Sequence, residues 1–206
     1  MLLLDLYGCG DSPGELESAS WSQWLHDIDR AHGWMRSTLE ARTGLWALRA
    51  GALLALEALA QLPTASPLVL WQPVTSGRQH LTQFLRLKLA AQALQGGERP
   101  ATTAGLMSEL ERGAALEIAG YRLPPAIALP MSASAFGAPP TSTVQWFEVN
   151  ANAEVPPAAL RIIAAWQSAG ADVRSTGIAG PPFWQTQELE DCPGLLNATV
   201  TALAYQ

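Results

Sequence analysis

The 206-residue sequence predicts an α/β fold, a mostly parallel sheet with helices on both faces. Three observations predict it. Short apolar runs of strand length alternate with longer runs whose apolar residues recur at helical spacing. The composition, 49% hydrophobic against 15% charged, suits a sheet buried on both sides. A short apolar run also passes through a tight turn at Arg49 directly into an apolar helix.

The elements follow in order. Residues 2–7, Leu-Leu-Leu-Asp-Leu-Tyr, form a strand candidate. It is ended by Gly8-Cys9-Gly10-Asp11-Ser12-Pro13-Gly14, a loop dense in turn formers. Ser20 caps a helix over 21–39, whose apolar face is Trp21, Trp24, Leu25, Ile28 and Met35. Residues 45–48 make a strand, and the helix after Arg49 runs to about Leu62. A linker at 63–67 leads to the continuous apolar run 68–74, the pattern of a strand buried on both faces. A helix spans 82–94.

Residues 96–140 differ, with more Gly and Pro and weaker periodicity. They read as an inserted lid or cap, or as an irregular solvated loop. Alternation resumes with a strand at 143–149, a helix at 156–170, a strand at 172–178, a turn at Gly180-Pro181-Pro182 and a closing helix at 193–205. The whole reads as one domain, with no internal repeat.

Charge and cysteine usage exclude several classes. A formal charge of −6 without a basic cluster speaks against nucleic acid. Two cysteines, Cys9 and Cys192, make no disulfide framework and fit a reducing, cytoplasmic setting. The most apolar later run, residues 50–62, is too short to span a bilayer and contains Glu57. There is no metal-ligand spacing, no phosphate loop and no dinucleotide fingerprint, so no metal or cofactor is expected. His26 and His32 are six apart on one helix, where ligand pairs need three or four.

The stretch Gly44-Leu45-Trp46-Ala47-Leu48-Arg49-Ala50-Gly51-Ala52-Leu53-Leu54-Ala55-Leu56 places small residues two before and two after Arg49. That is the steric pattern of the G-x-S-x-G nucleophile elbow. With Asp5-Leu6-Tyr7-Gly8-Cys9-Gly10-Asp11-Ser12, Leu70-Trp71-Gln72-Pro73-Val74, Thr82-Gln83-Phe84-Leu85-Arg86 and Gly180-Pro181-Pro182-Phe183-Trp184-Gln185-Thr186, the chain resembles an α/β-hydrolase. More closely, it resembles the exosortase A system-associated hydrolase 2 family. The resemblance implies a bacterial ester or acyl hydrolase whose neighbours handle exopolysaccharide production and protein sorting. It also implies strands ahead of residue 2, so the chain is expected to lack the N-terminal strands of that plan. Residues 2–6 then pair directly with 45–48 or remain an unpaired edge.

The residues depart from the family's chemistry at each reactive position. Acyl transfer needs a nucleophile, a base and an orienting carboxylate. The elbow holds Arg49, which stays protonated and cannot attack. The acid loop holds Asn152 where the resemblance expects Asp, with Glu154 as the ionisable substitute nearby. The last-strand loop, Gly180 to Trp184, has no histidine; His26, His32 and His80 all lie earlier.

Two readings of Arg49 stand. At a helix N-terminus its planar guanidinium would clamp a carboxylate or phosphate. Alternatively it is structural, paired with a carboxylate such as Asp5 or Asp11. Ser12, Ser76 and Trp184 follow strand ends and are further ligand-contact candidates; serines there are also ordinary turn formers. Cys9, between two glycines, offers a thiol without an evident base, and His80 opens a helix. The sequence therefore points to an α/β-hydrolase-like protein that binds a small anionic or acyl ligand without turnover. The other reading is an interaction protein of the exopolysaccharide and sorting machinery.

Overall fold

The computed structural model describes the chain except residues 40–42, 63–65, 95–101, 140–142, 187, 189 and 205–206. It divides into two compact units. One comprises Met1–Thr38 and Thr75–Phe136, the other Leu39–Val74 and Gly137–Gln206.

The second unit holds the main sheet. Strands β1 (Leu45–Leu48), β2 (Leu68–Trp71), β5 (Thr143–Asn150) and β6 (Asp172–Ala179) lie in the order β1-β2-β5-β6, all parallel. Helices α2 (Gly51–Gln61), α6 (Pro157–Ser168) and α7 (Pro193–Ala204) cover it. Side chains alternate across a strand, so neighbours on β5 report opposite faces. Trp146 stacks edge-on against Trp166 of α6, with centroids 5.5 Å apart. Phe147 instead joins Val69, Val149, Cys192 and Leu195 beneath α7. Register puts Ala47, Leu70 and Trp146 on one face, and Ala47 adjoins Gly51 of α2. So α2 and α6 share one face and α7 takes the other, as the sequence predicts.

The first unit contains α1 (Trp21–Leu39), α3 (Gly77–Leu94), α4 (Thr103–Glu111), a hairpin of β3 (Leu116–Ile118) and β4 (Tyr121–Leu123), and α5 (Pro125–Ala133). Ser20 Oγ accepts the Gln23 N–H at 3.1 Å, the expected cap of α1. Thr102 Oγ1 caps α4 by accepting from Gly105 N–H at 3.0 Å. Lys88 of α3 donates to the Glu117 carbonyl at 2.9 Å, and Arg122 pairs with Glu17 at 3.0 Å. The described part of 96–140 is thus two helices and a hairpin rather than an irregular loop, with Leu106, Leu110, Ile127 and Ala128 buried.

Three expectations are corrected. Residues 2–7 form no strand. Among the described residues no strand supplies their hydrogen bonds, and Leu3 is 85% exposed. The segment ends in a turn, where Tyr7 N–H donates to Asp27 and Cys9 N–H to the Leu6 carbonyl. The strand expected over 68–74 stops at Trp71, because Gln72 takes a left-handed φ of 44° and turns the chain. The helix expected from Thr82 begins at Gly77, capped by Ser76. The expected linker at 63–67 lies largely outside the described residues. Among the described residues, no helix is long and apolar enough to cross a membrane.

Candidate functional site

The turn between β1 and α2 is the feature on which the site is built. Arg49 sits there at φ 53°, the left-handed region that side chains other than glycine rarely occupy. Backbone bonds hold it. Its N–H donates to the Trp71 carbonyl at 3.0 Å, and its carbonyl accepts from Ala52 and Val74 N–H, each at 3.1 Å. Such a conformation costs roughly 1–3 kcal/mol and persists only where the surroundings over-determine it. The sharp strand-to-helix turn read at Arg49 is therefore present, with a guanidinium at its apex.

The small neighbours are close but not at their limit. A Cβ built on Gly51 would meet the Ala47 methyl at 3.8 Å, ordinary contact. Gly51 occupies the first turn of α2 without a left-handed φ. Gly51→Ala should therefore stabilise the fold by about 0.4–1 kcal/mol, through loss of unfolded-chain entropy. Chemical denaturation reads this directly, and a loss of stability would show that the turn needs glycine.

From the elbow the Arg49 guanidinium donates to the Gln72 carbonyl at 3.2 Å and lies 5.4 Å from the Trp184 ring centroid. Among the described residues it makes no ion pair. Burial pulls its pKa below the ordinary value, opposed by the charge of Glu148; an arginine nonetheless remains a cation. Five N–H donors and one acceptor leave capacity for a ligand. Trp184, on the short 3₁₀ turn Phe183–Gln185, is a further donor beside it. Its indole N–H is buried and finds no acceptor among the described residues. Buried donors without partners are rare enough to mark a site.

Glu148 is the residue that sequence reasoning missed. It is 5% exposed on β5, and its Oε1 accepts from Trp146 Nε1 at 2.8 Å. Its only sequence signal was a lone carboxylate inside the apolar run 143–149. Burial raises its pKa above the ordinary 4.5, against the opposing pull of the Trp146 N–H and the Arg49 charge. The folded chain then holds a proton at pH values where the unfolded chain releases it. That contribution to stability is complete below pH 4.5 and is lost as pH rises through the folded value. Glu148→Gln should accordingly gain stability relative to the parent near neutral pH and match it in acid. Urea unfolding at both pH values tests the sign.

Gln72 was also missed. Its side-chain Oε1 accepts the Val149 N–H at 2.6 Å and its own N–H donates to the Phe147 carbonyl at 2.7 Å. It closes the β2–β5 ladder and points its carbonyl at Arg49.

The loop after β5 is tied by Asn150. Asn150 Oδ1 accepts from the Asn152 and Glu154 N–H groups at 3.1 and 3.2 Å, and its Nδ2 donates to the Glu154 carbonyl at 2.6 Å. Asn152 and Glu154 are left exposed.

Of the predicted ligand contacts, Arg49 and Trp184 come together. Ser12 and Ser76 belong to the first unit, where Ser12 Oγ donates to the Asp5 carbonyl at 2.6 Å and Ser76 Oγ caps α3. Asp5 accepts there from Asp11 N–H at 3.0 Å. Burial and the Asp5 charge push the Cys9 thiol pKa up, away from a reactive thiolate. His26, His32 and His80 lie in that unit too, with His32 buried and His80 stacked edge-on against Phe84. The second unit contains no histidine.

A parallel sheet covered on both faces, with a strained strand–turn–helix at Arg49, defines an α/β-hydrolase-like fold. Solved structures share it. DcsB, solved in complex with its substrate analogue, aligns with a TM-score of 0.52 and 16% identity over 96% of this chain and 78% of its own. A proline iminopeptidase-related protein from Thermus thermophilus aligns with a TM-score of 0.52 and 18% identity over 97% of this chain and 77% of its own. Likeness at that identity speaks for the fold alone. No protein-family model and no curated protein matches the sequence.

Proposed function

We propose that this α/β-hydrolase-fold protein binds a small anionic or acyl ligand at the elbow and does not carry out acyl transfer there. The observation that carries the reading is Arg49 itself, a guanidinium held in the left-handed turn with one acceptor among the described residues, beside a Trp184 N–H that finds none among them. A carboxylate or phosphate accepts from both kinds of donor, and the N-terminus of α2 adds a favourable field. Hydrolysis lacks its parts in this unit, which holds neither a nucleophile at the elbow nor a histidine. The sequence resemblance to the exosortase A system-associated hydrolase 2 family supports a place beside exopolysaccharide and sorting proteins in the cytoplasm.

Thermal unfolding with acetate, octanoate and inorganic phosphate tests the reading, alongside intact-mass labelling by a fluorophosphonate. The expected result is a rise in Tm with at least one anion, abolished in Arg49→Ala, and no covalent adduct. Loss of a bidentate charged contact costs about 2–4 kcal/mol, so binding should fall by at least tenfold. A stoichiometric adduct on folded protein would restore the hydrolase reading. Equal stabilisation of Arg49→Ala would remove Arg49 from the site.

A further inference from the structure

We infer that the site at Arg49 binds an anion together with a proton, the anion on the guanidinium and the proton on Glu148. This rests on the reading of Arg49 as an anion site, and it adds the group that answers the ligand's charge. All the residues concerned belong to the second unit.

Register brings the two side chains to one end of the sheet. Leu48 pairs with Trp71, and Trp71 with Phe147. The next residues, Arg49, Gln72 and Glu148, therefore stand in a row at the carboxyl ends of β1, β2 and β5. Gln72 ties the row together. Its carbonyl accepts from Arg49 at 3.2 Å, and its N–H donates to the Phe147 carbonyl at 2.7 Å. Adjacent strands are about 4.8 Å apart, so the backbones at Arg49 and Glu148 are about 10 Å apart. Each side chain lies in the field of the other.

The surroundings of Glu148 suit a proton better than a charge. It is buried, accepts one hydrogen bond, from Trp146, and makes no ion pair among the described residues. A buried carboxylate is stable only with several donors or a cation in contact. On the elements around it, β6 sets Gly177 opposite and β2 brings Gln72, neither of them charged. The charged residues of those elements are elsewhere. Arg161 of α6 and Glu154 of the loop after β5 are exposed, and Arg174 of β6 pairs with Asp172 at 3.8 Å. Glu57 stands about 9 Å along α2 from Gly51. Among the described residues, Arg49 is the charged group that acts on Glu148.

Charge balance then sets the coupling. One guanidinium answers one negative charge, the ligand's or that of Glu148. With no ligand bound, Arg49 favours the ionised carboxyl against the effect of burial. An anion seated on Arg49 withdraws that support and adds a like charge, so Glu148 takes up a proton. By linkage, ionising Glu148 weakens the anion by the same factor. Affinity is therefore highest below the folded pKa of Glu148, which lies above 4.5, and falls as pH rises through it. Two charges about 10 Å apart near a protein surface change an affinity about tenfold.

Isothermal titration calorimetry of the full chain with benzenesulfonate at low ionic strength tests this, with circular dichroism confirming the fold of each variant. A sulfonate stays singly charged, so any proton exchanged belongs to the protein. The affinity should fall about tenfold between about pH 5 and about pH 9, the range in which buried carboxyls titrate. Titrations in buffers of different ionisation enthalpy should show protons taken up on binding. Glu148→Gln keeps an acceptor for Trp146 and cannot ionise; it should bind equally well throughout and take up none. No binding by the parent, or equal binding by Arg49→Ala, would remove the anion site and this proposal with it. Binding that needs Arg49 yet neither varies with pH nor takes up protons would overturn the proton coupling and leave the anion site standing. A pH dependence that survives in Glu148→Gln would do the same.

Discussion

Gly177→Ala should destabilise the protein by about 3 kcal/mol or more, a large share of the 5–15 kcal/mol that typically separates folded from unfolded chains. Gly177 lies on β6 opposite Glu148, and the loop after β5 crosses directly over it. A Cβ there would fall on the carbonyl of Ala153 and, at 2.8 Å, on the Glu154 nitrogen. These are backbone atoms, so no rotamer change relieves the overlap. The loop cannot easily move either. Ala153 is already at φ 53°, and Asn150 ties the turn with three side-chain hydrogen bonds. Urea denaturation would read the loss as a lowered midpoint at constant slope. A change under about 0.5 kcal/mol, within the range of surface substitutions, would mean that the loop does not pack on β6 as described. Because the loop presents Asn152 and Glu154, the same variant should also displace them.

Trp146→Ala should cost about 3–5 kcal/mol, the range for deleting a large aromatic from a core. Trp146 is wholly buried, stacked on Trp166 between the sheet and α6. It also donates to Glu148, so its removal strands a buried carboxyl and adds about 1–3 kcal/mol of unmet desolvation. Trp146→Phe separates the two effects, keeping most of the packing and losing the donor. In a double-mutant cycle, Trp146→Phe and Glu148→Met, which removes the acceptor, should be non-additive by at least about 0.5 kcal/mol. Additive losses would mean the hydrogen bond contributes nothing to stability. The cycle also bears on Arg49, whose charge faces Glu148.

Much of the architecture was legible because periodicity is a local property of the chain. The helix at Trp21–Leu39 follows from its apolar spacing and the Ser20 cap, β5 from its apolar run, and β6 from the resumed strand–helix alternation and the Gly180-Pro181-Pro182 turn after it. The turn at Arg49 was legible because a short apolar run there passes directly into an apolar helix, although Gly51 itself has room for a methyl group. What failed did so where a partner decides the outcome. Residues 2–7 have strand composition, but a strand exists only when a neighbour completes its ladder. The end of β2 was misplaced because Gln72, polar and unremarkable in sequence, replaces a ladder bond with its own side chain.

The site divides in the same way. From the sequence alone came an α/β sheet with helices on both faces, and a cation at the tight turn between a strand and its helix. Residue identity at Arg49 determines that chemistry, because no environment turns a guanidinium into an acyl-transfer nucleophile. Tertiary structure alone decided what surrounds it: the Gln72 carbonyl, the Trp184 ring and its orphaned N–H, and the buried Glu148, drawn from separate strands and loops. Their approach depends on sheet order and register, which are long-range pairings that no local pattern encodes.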